Sequence, residues 1–200
     1  MPTLKQRILA LVKKRGLIRP RELKTLGLPS RYLRQLETEG LLIRLDRGLY
    51  THAESSFSEQ MSLLEVTKKI PRGIICLISA LRFHNLTLEF SPDAWIALPP
   101  GGYHVQMENL HVRYFHFSGS AYSEGIVYHD IDGVKVPIYS EAKTIADCFK
   151  FRQTVGLDVA IYALKQGWEE RRFSPSELIS FARINRVEKL IRPYLETLLI

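Results

Sequence analysis

The 200-residue sequence predicts an α+β protein in two parts. Residues 1–52 read as a winged helix-turn-helix, and residues 59–200 as a mixed α+β domain ending in a helical segment. Three observations lead there. Closely spaced helix start and stop signals precede a short hairpin in the first fifty residues. A polar stretch over residues 52–58 reads as a linker. Beyond it the pattern changes to mixed strands and helices. With 46% hydrophobic and 24% charged residues, the chain has the composition of an ordinary globular protein with material for two modest cores.

The first helix is predicted over residues 3–14. Thr3 and Gln6 form a T-x-x-Q capping box, and Ile8, Leu9, Leu11 and Val12 make an apolar face that ends at Gly16. Residues 17–19 read as extended. Pro20 opens a second helix because its missing N–H costs nothing in a first turn, and Leu23 and Leu26 are expected to face inward before Gly27. Ser30 reads as the N-cap of a third helix over residues 31–39, which stops at Gly40. Residues 42–45 and 49–51 read as strands joined by Asp46-Arg47-Gly48, with glycine available for positive φ.

In the remainder, helices are predicted over residues 59–70 and 76–84, and strands over 94–98 and 110–117. Residues 118–125 are small and polar and read as a mobile loop. Asp132-Gly133 signals a hairpin between strands over 126–131 and 134–138. Helices follow over 141–151, 157–166, 175–183 and 187–199. The third of these begins at Ser174-Pro175-Ser176-Glu177, a capping box with proline at the first helical position.

Charge is distributed unevenly. Up to Thr51 the chain carries twelve Lys and Arg against four Asp and Glu, a net of +8, whereas the remainder nets −1. A positive field concentrated on so small a domain points to a polyanion, and the helix order points to double-stranded DNA. The third helix fits major-groove entry. Leu33 and Leu36 share one face, and Arg31, Arg34, Gln35 and Thr38 fall at i, i+3, i+4 and i+7 on another. Arginine can bind guanine bidentately and glutamine can bind adenine so. Arg19 and Arg21 at the start of the second helix, Ser30, and Arg44 and Arg47 on the wing complete the candidate set, with free N–H groups at the second helix suiting a phosphate.

Other classes find little support. Cys76 and Cys148 are widely spaced among apolar residues and read as buried thiols of a reducing, cytoplasmic protein. No signal peptide or membrane-spanning run is evident. The six histidines match no metal-binding spacing, so no metal or cofactor is expected. Glu141 and Lys143, with Asp130 or Asp132, suggest the acid…E-x-K set of metal-dependent nucleases; against this, Asp132 falls in a turn and Glu141 at a helix start, where the helix dipole explains it. Lys143-Thr144 with Lys150-Phe151-Arg152 marks a candidate basic patch, for which a solvated helix face is the simpler alternative. A protein-binding winged domain that does not meet DNA is a further alternative.

Several segments carry a family resemblance. They are the run from Gly27 to Leu33, the wing ending Arg47-Gly48-Leu49-Tyr50, the run from Ile78 to Thr87 that contains Ser79 and His84, Trp95-Ile96-Ala97-Leu98-Pro99, and the run from Glu141 to Asp147 that contains Lys143 and Thr144. Residues 152–163 and Arg192-Pro193-Tyr194-Leu195 join them. In these the chain resembles the AbiEi antitoxins of type IV toxin–antitoxin, or abortive-infection, systems over nearly its whole length. The resemblance implies a non-enzymatic repressor that binds inverted repeats in its own promoter. It also implies antagonism of a nucleotidyltransferase toxin without a stable complex, through the second domain. A stand-alone regulator without a toxin is the alternative, and both a monomer and a dimer on DNA stay open.

Overall fold

A computed structural model describes residues 3–53, 59–108 and 110–198. The linker expected over residues 52–58 lies for the most part, from residue 54 on, outside the described residues. The mixed α+β class is borne out. The chain divides into two compact units, one of residues 1–71, 105–111 and 129–136, the other of the remainder.

The first unit is built from α1 (Leu4–Arg15), β1 (Leu17–Ile18), α2 (Pro20–Thr25), α3 (Arg31–Thr38), β2 (Leu42–Asp46), β3 (Leu49–His52) and α4 (Glu59–Lys69). Thr3 caps α1 as its sequence requires: its side chain accepts from the Gln6 N–H, and the Gln6 side chain accepts from the Thr3 N–H at 2.9 Å. The three strands form an antiparallel sheet in the order β1-β3-β2. Ile8, Val12, Ile18, Leu23, Leu28, Leu33, Leu36, Leu42 and Tyr50 form its core.

Two local expectations need correction. Leu26 is 45% exposed. It lies one residue past α2, where the chain turns back at Gly27 (φ 68°), with the Leu28 N–H on the Leu23 carbonyl and the Gly27 N–H on the Lys24 carbonyl. That pairing ends the helix and sends Leu28, not Leu26, inward. Ser30 precedes α3 but makes no side-chain capping bond, because its own backbone is already helical (φ −67°, ψ −17°).

Helix α4, which the sequence pattern placed with the second domain, groups with the first unit. Lys68 bonds Glu22 at 2.6 Å, and Lys69 donates to the Arg47 carbonyl at 3.2 Å.

The second unit holds the other elements. These are β4 (Ile74–Ile75), α5 (Leu77–Phe83), β5 (Ala94–Leu98), β6 (Val112–His116), α6 (Ser120–Ser123), β7 (Ile126–Ile131), β8 (Val134–Tyr139), α7 (Glu141–Lys150), α8 (Arg152–Val155), α9 (Leu157–Glu169), α10 (Pro175–Ile184) and α11 (Glu188–Thr197). The tip of the β7–β8 hairpin, within residues 129–136, counts with the first unit. Asp132 and Gly133 both take positive φ at the tip (48° and 74°), as a two-residue turn of this hand demands. The sheet order is β6-β5-β4-β8-β7, with β4 parallel to β8 and antiparallel to β5. Helix α7 is its central helix: every residue from Ala142 to Phe149 is buried.

The segment expected to be a mobile loop over residues 118–125 instead contains α6. Ala121 is buried there, the Tyr122 hydroxyl donates to the Arg72 carbonyl at 2.6 Å, and the Tyr139 hydroxyl donates to the Tyr122 carbonyl at 2.8 Å. Long-range bonds of this kind leave no local sequence signal.

Burial opposes ionisation of Glu22, but hydrogen bonds from Lys68 and from the Arg19 N–H outweigh it and hold the carboxyl below its ordinary range. A carboxyl whose pKa is lower folded than unfolded stabilises the fold above the unfolded value, and that gain is lost as pH falls through the folded value. Glu22→Gln is therefore expected to lose less stability on acidification than wild type, measured as thermal unfolding midpoints across an acid pH series. Equal acid sensitivity would contradict this.

Candidate nucleic-acid interface

Helix α3 is short, and its orientation is set by two leucines. Leu33 is 1% exposed and Leu36 0%, both packed in the first unit's core. The 3.6-residue period then puts Arg31, Arg34, Gln35 and Thr38 on the opposite side, and all four are exposed. The Thr38 hydroxyl donates to the Arg34 carbonyl at 3.0 Å. The Arg31 guanidinium lies 5.4 Å from the Tyr32 ring centre.

Two open surface depressions flank this stripe. Lys5, Arg34, Gln35, Glu37, Thr38, Glu39 and Arg44 line one, and the other is formed by Pro20, Arg21, Lys24, Leu28, Pro29, Ser30 and Arg31. In the first, Lys5 pairs with Glu39 and so neutralises an acid at the end of α3. The second brings Arg21, Lys24 and Arg31 around the exposed Ser30. On the wing Arg44 and Arg47 are exposed, and Arg47 Nε stands 3.8 Å from the Glu108 carboxylate. An exposed pair at that distance contributes little and gives way readily to another anion.

The start of α2 differs from expectation. The Arg19 N–H donates to the Glu22 carboxylate at 2.9 Å and Arg19 itself is half-buried. A side chain of the helix's own first turn thus takes the place expected for a phosphate at that N–H.

The motif residues of the second unit have structural partners. Ser79 Oγ accepts the buried Trp95 N–H at 3.0 Å, joining α5 to β5. His84 Nε2 lies 2.8 Å from the Tyr139 carbonyl, so this nitrogen carries the proton, and Thr144 donates to the same carbonyl at 3.2 Å. Glu141 approaches His84 Nδ1 at 3.5 Å. Lys143 is fully buried with its Nζ 2.5 Å from both oxygens of Asp147, and Asn185 donates to Asp147 at 2.6 Å.

This overturns two readings of Lys143. It belongs to no surface basic patch, and it does not converge with Glu141, which points from another side of α7 toward His84. Among the described residues no group of three or more His, Cys, Asp or Glu is placed to hold a metal ion. Sequence reasoning missed Tyr139 and Asn185, and it gave Asp147 no role of its own. The i, i+4 spacing of Lys143 and Asp147, on a helix that also carries Ala142, Ile145, Ala146, Cys148 and Phe149, was the available signal.

Three helices, a hairpin wing and a short strand closing its sheet define the first unit as a winged helix-turn-helix. Residues 6–51 match the family described as transcriptional regulator, AbiEi antitoxin, which bears out the resemblance over that segment. No curated protein matches the chain. Among solved structures, the RV2827C protein from Mycobacterium tuberculosis is similar with a TM-score of 0.60 at 12% identity, over 90% of this chain and 71% of that one. At this identity the likeness is one of fold. The chain thus carries a domain similar to the AbiEi transcriptional-regulator antitoxins. Among the described residues no helix is long and apolar enough to cross a membrane.

If Ser79 acts as a structural acceptor, Ser79→Ala leaves the buried Trp95 N–H unpaired and is expected to cost about 1–3 kcal/mol, read from denaturant unfolding. Unchanged stability would deny Ser79 that role.

Proposed function

We propose that this protein is a DNA-binding transcriptional autorepressor and the antitoxin of a type IV toxin–antitoxin system, counteracting a nucleotidyltransferase toxin. The reading is carried by the outward stripe of Arg31, Arg34, Gln35 and Thr38 on α3, within a segment that matches a family of regulators. Helix α3 lies in the major groove of promoter inverted repeats, where Arg34 and Gln35 face base edges and Arg31 with Ser30 faces the flanking backbone. Arg21 and Lys24 contact phosphates on one side of the groove, and Arg44 and Arg47 do so from the wing. Arg19 contributes charge through its side chain. The antitoxin role rests on the family likeness, and the second unit is assigned to it.

A gel-shift series with the DNA upstream of the protein's own reading frame tests the repressor reading. Six phosphate contacts are expected to give a log–log salt slope of roughly −5, at about 0.9 per contact. Arg34→Ala is expected to lose about 1–3 kcal/mol of affinity for that DNA and little for random duplex. Equal affinity for both duplexes at every salt concentration, or an Arg34→Ala variant that binds as tightly as wild type, would contradict it. Growth rescue on co-expression with a nucleotidyltransferase encoded beside it tests the antitoxin role, and failure to rescue would remove it.

A further inference from the structure

Lys143, Asp147 and Asn185 lie in the core of the second unit and take no part in the interface above. Lys143 and Asp147 are 0% exposed and Asn185 is 5% exposed. Asp147 Oδ1 lies 2.5 Å from Lys143 Nζ and 2.6 Å from Asn185 Nδ2, so one carboxylate oxygen touches both nitrogens. Aromatic rings enclose the amine, with the Tyr139 centre at 4.2 Å and the Phe117 centre at 4.8 Å. Gly125 closes another side: a Cβ there would fall 2.8 Å from Lys143 Cβ, so the backbone packs directly on the lysine stem. Asn185 Oδ1 is buried with no hydrogen-bond partner among the described residues.

An ordinary buried ion pair accounts for Lys143 and Asp147. It does not account for a third buried group whose carboxamide shares the same oxygen while its own carbonyl oxygen is left bare, an arrangement that carries a desolvation cost. A primary amine, a carboxamide and a carboxyl group that touches both, held together away from water, are the complete set of reactants for amide transfer.

We propose that Lys143 and Asn185 are joined by an intramolecular amide bond, which the protein forms itself with Asp147 as proton carrier. The Lys143 ammonium first passes a proton to Asp147. Burial favours that transfer: it disfavours both charges, lowering the amine's affinity for its proton and raising the carboxyl's, and outweighs the attraction between the two. The Nζ lone pair then attacks Asn185 Cγ, forming the Nζ–Cγ bond as the carbonyl π electrons move to Oδ1. Asp147 gives its proton to Nδ2 and takes one from Nζ. The Cγ–Nδ2 bond breaks, ammonia leaves, and the carbonyl reforms. Amine and carboxamide become a secondary amide and ammonia, with no oxidant, reductant or cofactor consumed. Asp147 ends as the neutral acid, as it was after the first transfer. The bond ties α7 to the end of α10 and closes a loop that contains α8, α9 and α10.

Intact-mass spectrometry of the purified full-length protein, followed by tryptic mapping, tests this. The mass is expected to fall below the sequence mass by one ammonia, and the digest to contain a branched peptide joining the segments that carry Lys143 and Asn185. Asp147→Ala and Asn185→Ala are expected to show their full sequence masses. A folded wild-type protein at its full sequence mass overturns the proposal whatever the variants do. So does an ammonia loss that maps to a linear peptide, which would indicate cyclisation of an asparagine on its own backbone.

Discussion

The burial of Leu33 and Leu36 is the constraint on which the N-terminal surface depends. Helix α3 has eight residues, too few to be stable alone in water, so packing rather than propensity holds it. With both leucines in a core shared with Ile8, Val12, Leu23, Leu42 and Tyr50, the rotation of the helix about its axis is fixed. The polar stripe then has one direction in which to point. Arg31, Arg34, Gln35 and Thr38 form a surface because two residues between them are not available to it. The wing follows from the same core, since Leu42 and Tyr50 anchor its strands while Arg44 stays outside.

The second unit inverts this arrangement. Helix α7 is buried on every side over most of its length, and it still carries Lys143, Thr144 and Asp147. Removing a charged pair from water costs several kcal/mol per ion before any interaction is counted, which places a strong demand on the groups packed around it. Thr144 and His84 converge on the Tyr139 carbonyl, and Ser79 holds the Trp95 N–H. These polar contacts fix how α5 and α7 sit against the sheet in a way that apolar packing alone would leave looser. Ser79, His84 and Thr144, singled out in the sequence, are therefore residues that specify the core.

What the sequence made legible was local. Thr3 with Gln6, Pro20 and Asp132-Gly133 each act within four residues and appear where they were expected, and Ser174 caps α10 by accepting from the Glu177 N–H, one half of the expected box. The outward stripe of α3 was legible for the same reason, as a consequence of helical period. Leu26 was misjudged because a helix C-terminus moves by one residue when the turn at Gly27 closes. The segment around α6 was misjudged because Tyr122 and Tyr139 find their partners far along the chain. Lys143 read as a surface base because Asn185, which completes its surroundings, lies 38 residues beyond Asp147. The short β4 left no trace, since two isoleucines carry no period.

The central claim is that the exposed side of α3 and the wing meet duplex DNA. Amide chemical-shift mapping of the full chain, titrated with the duplex upstream of its reading frame, measures this directly. The account expects the largest shifts at residues 30–38 and 44–48, with the core amides of the second unit unmoved. Shifts absent from α3, or concentrated in the second unit, would contradict it.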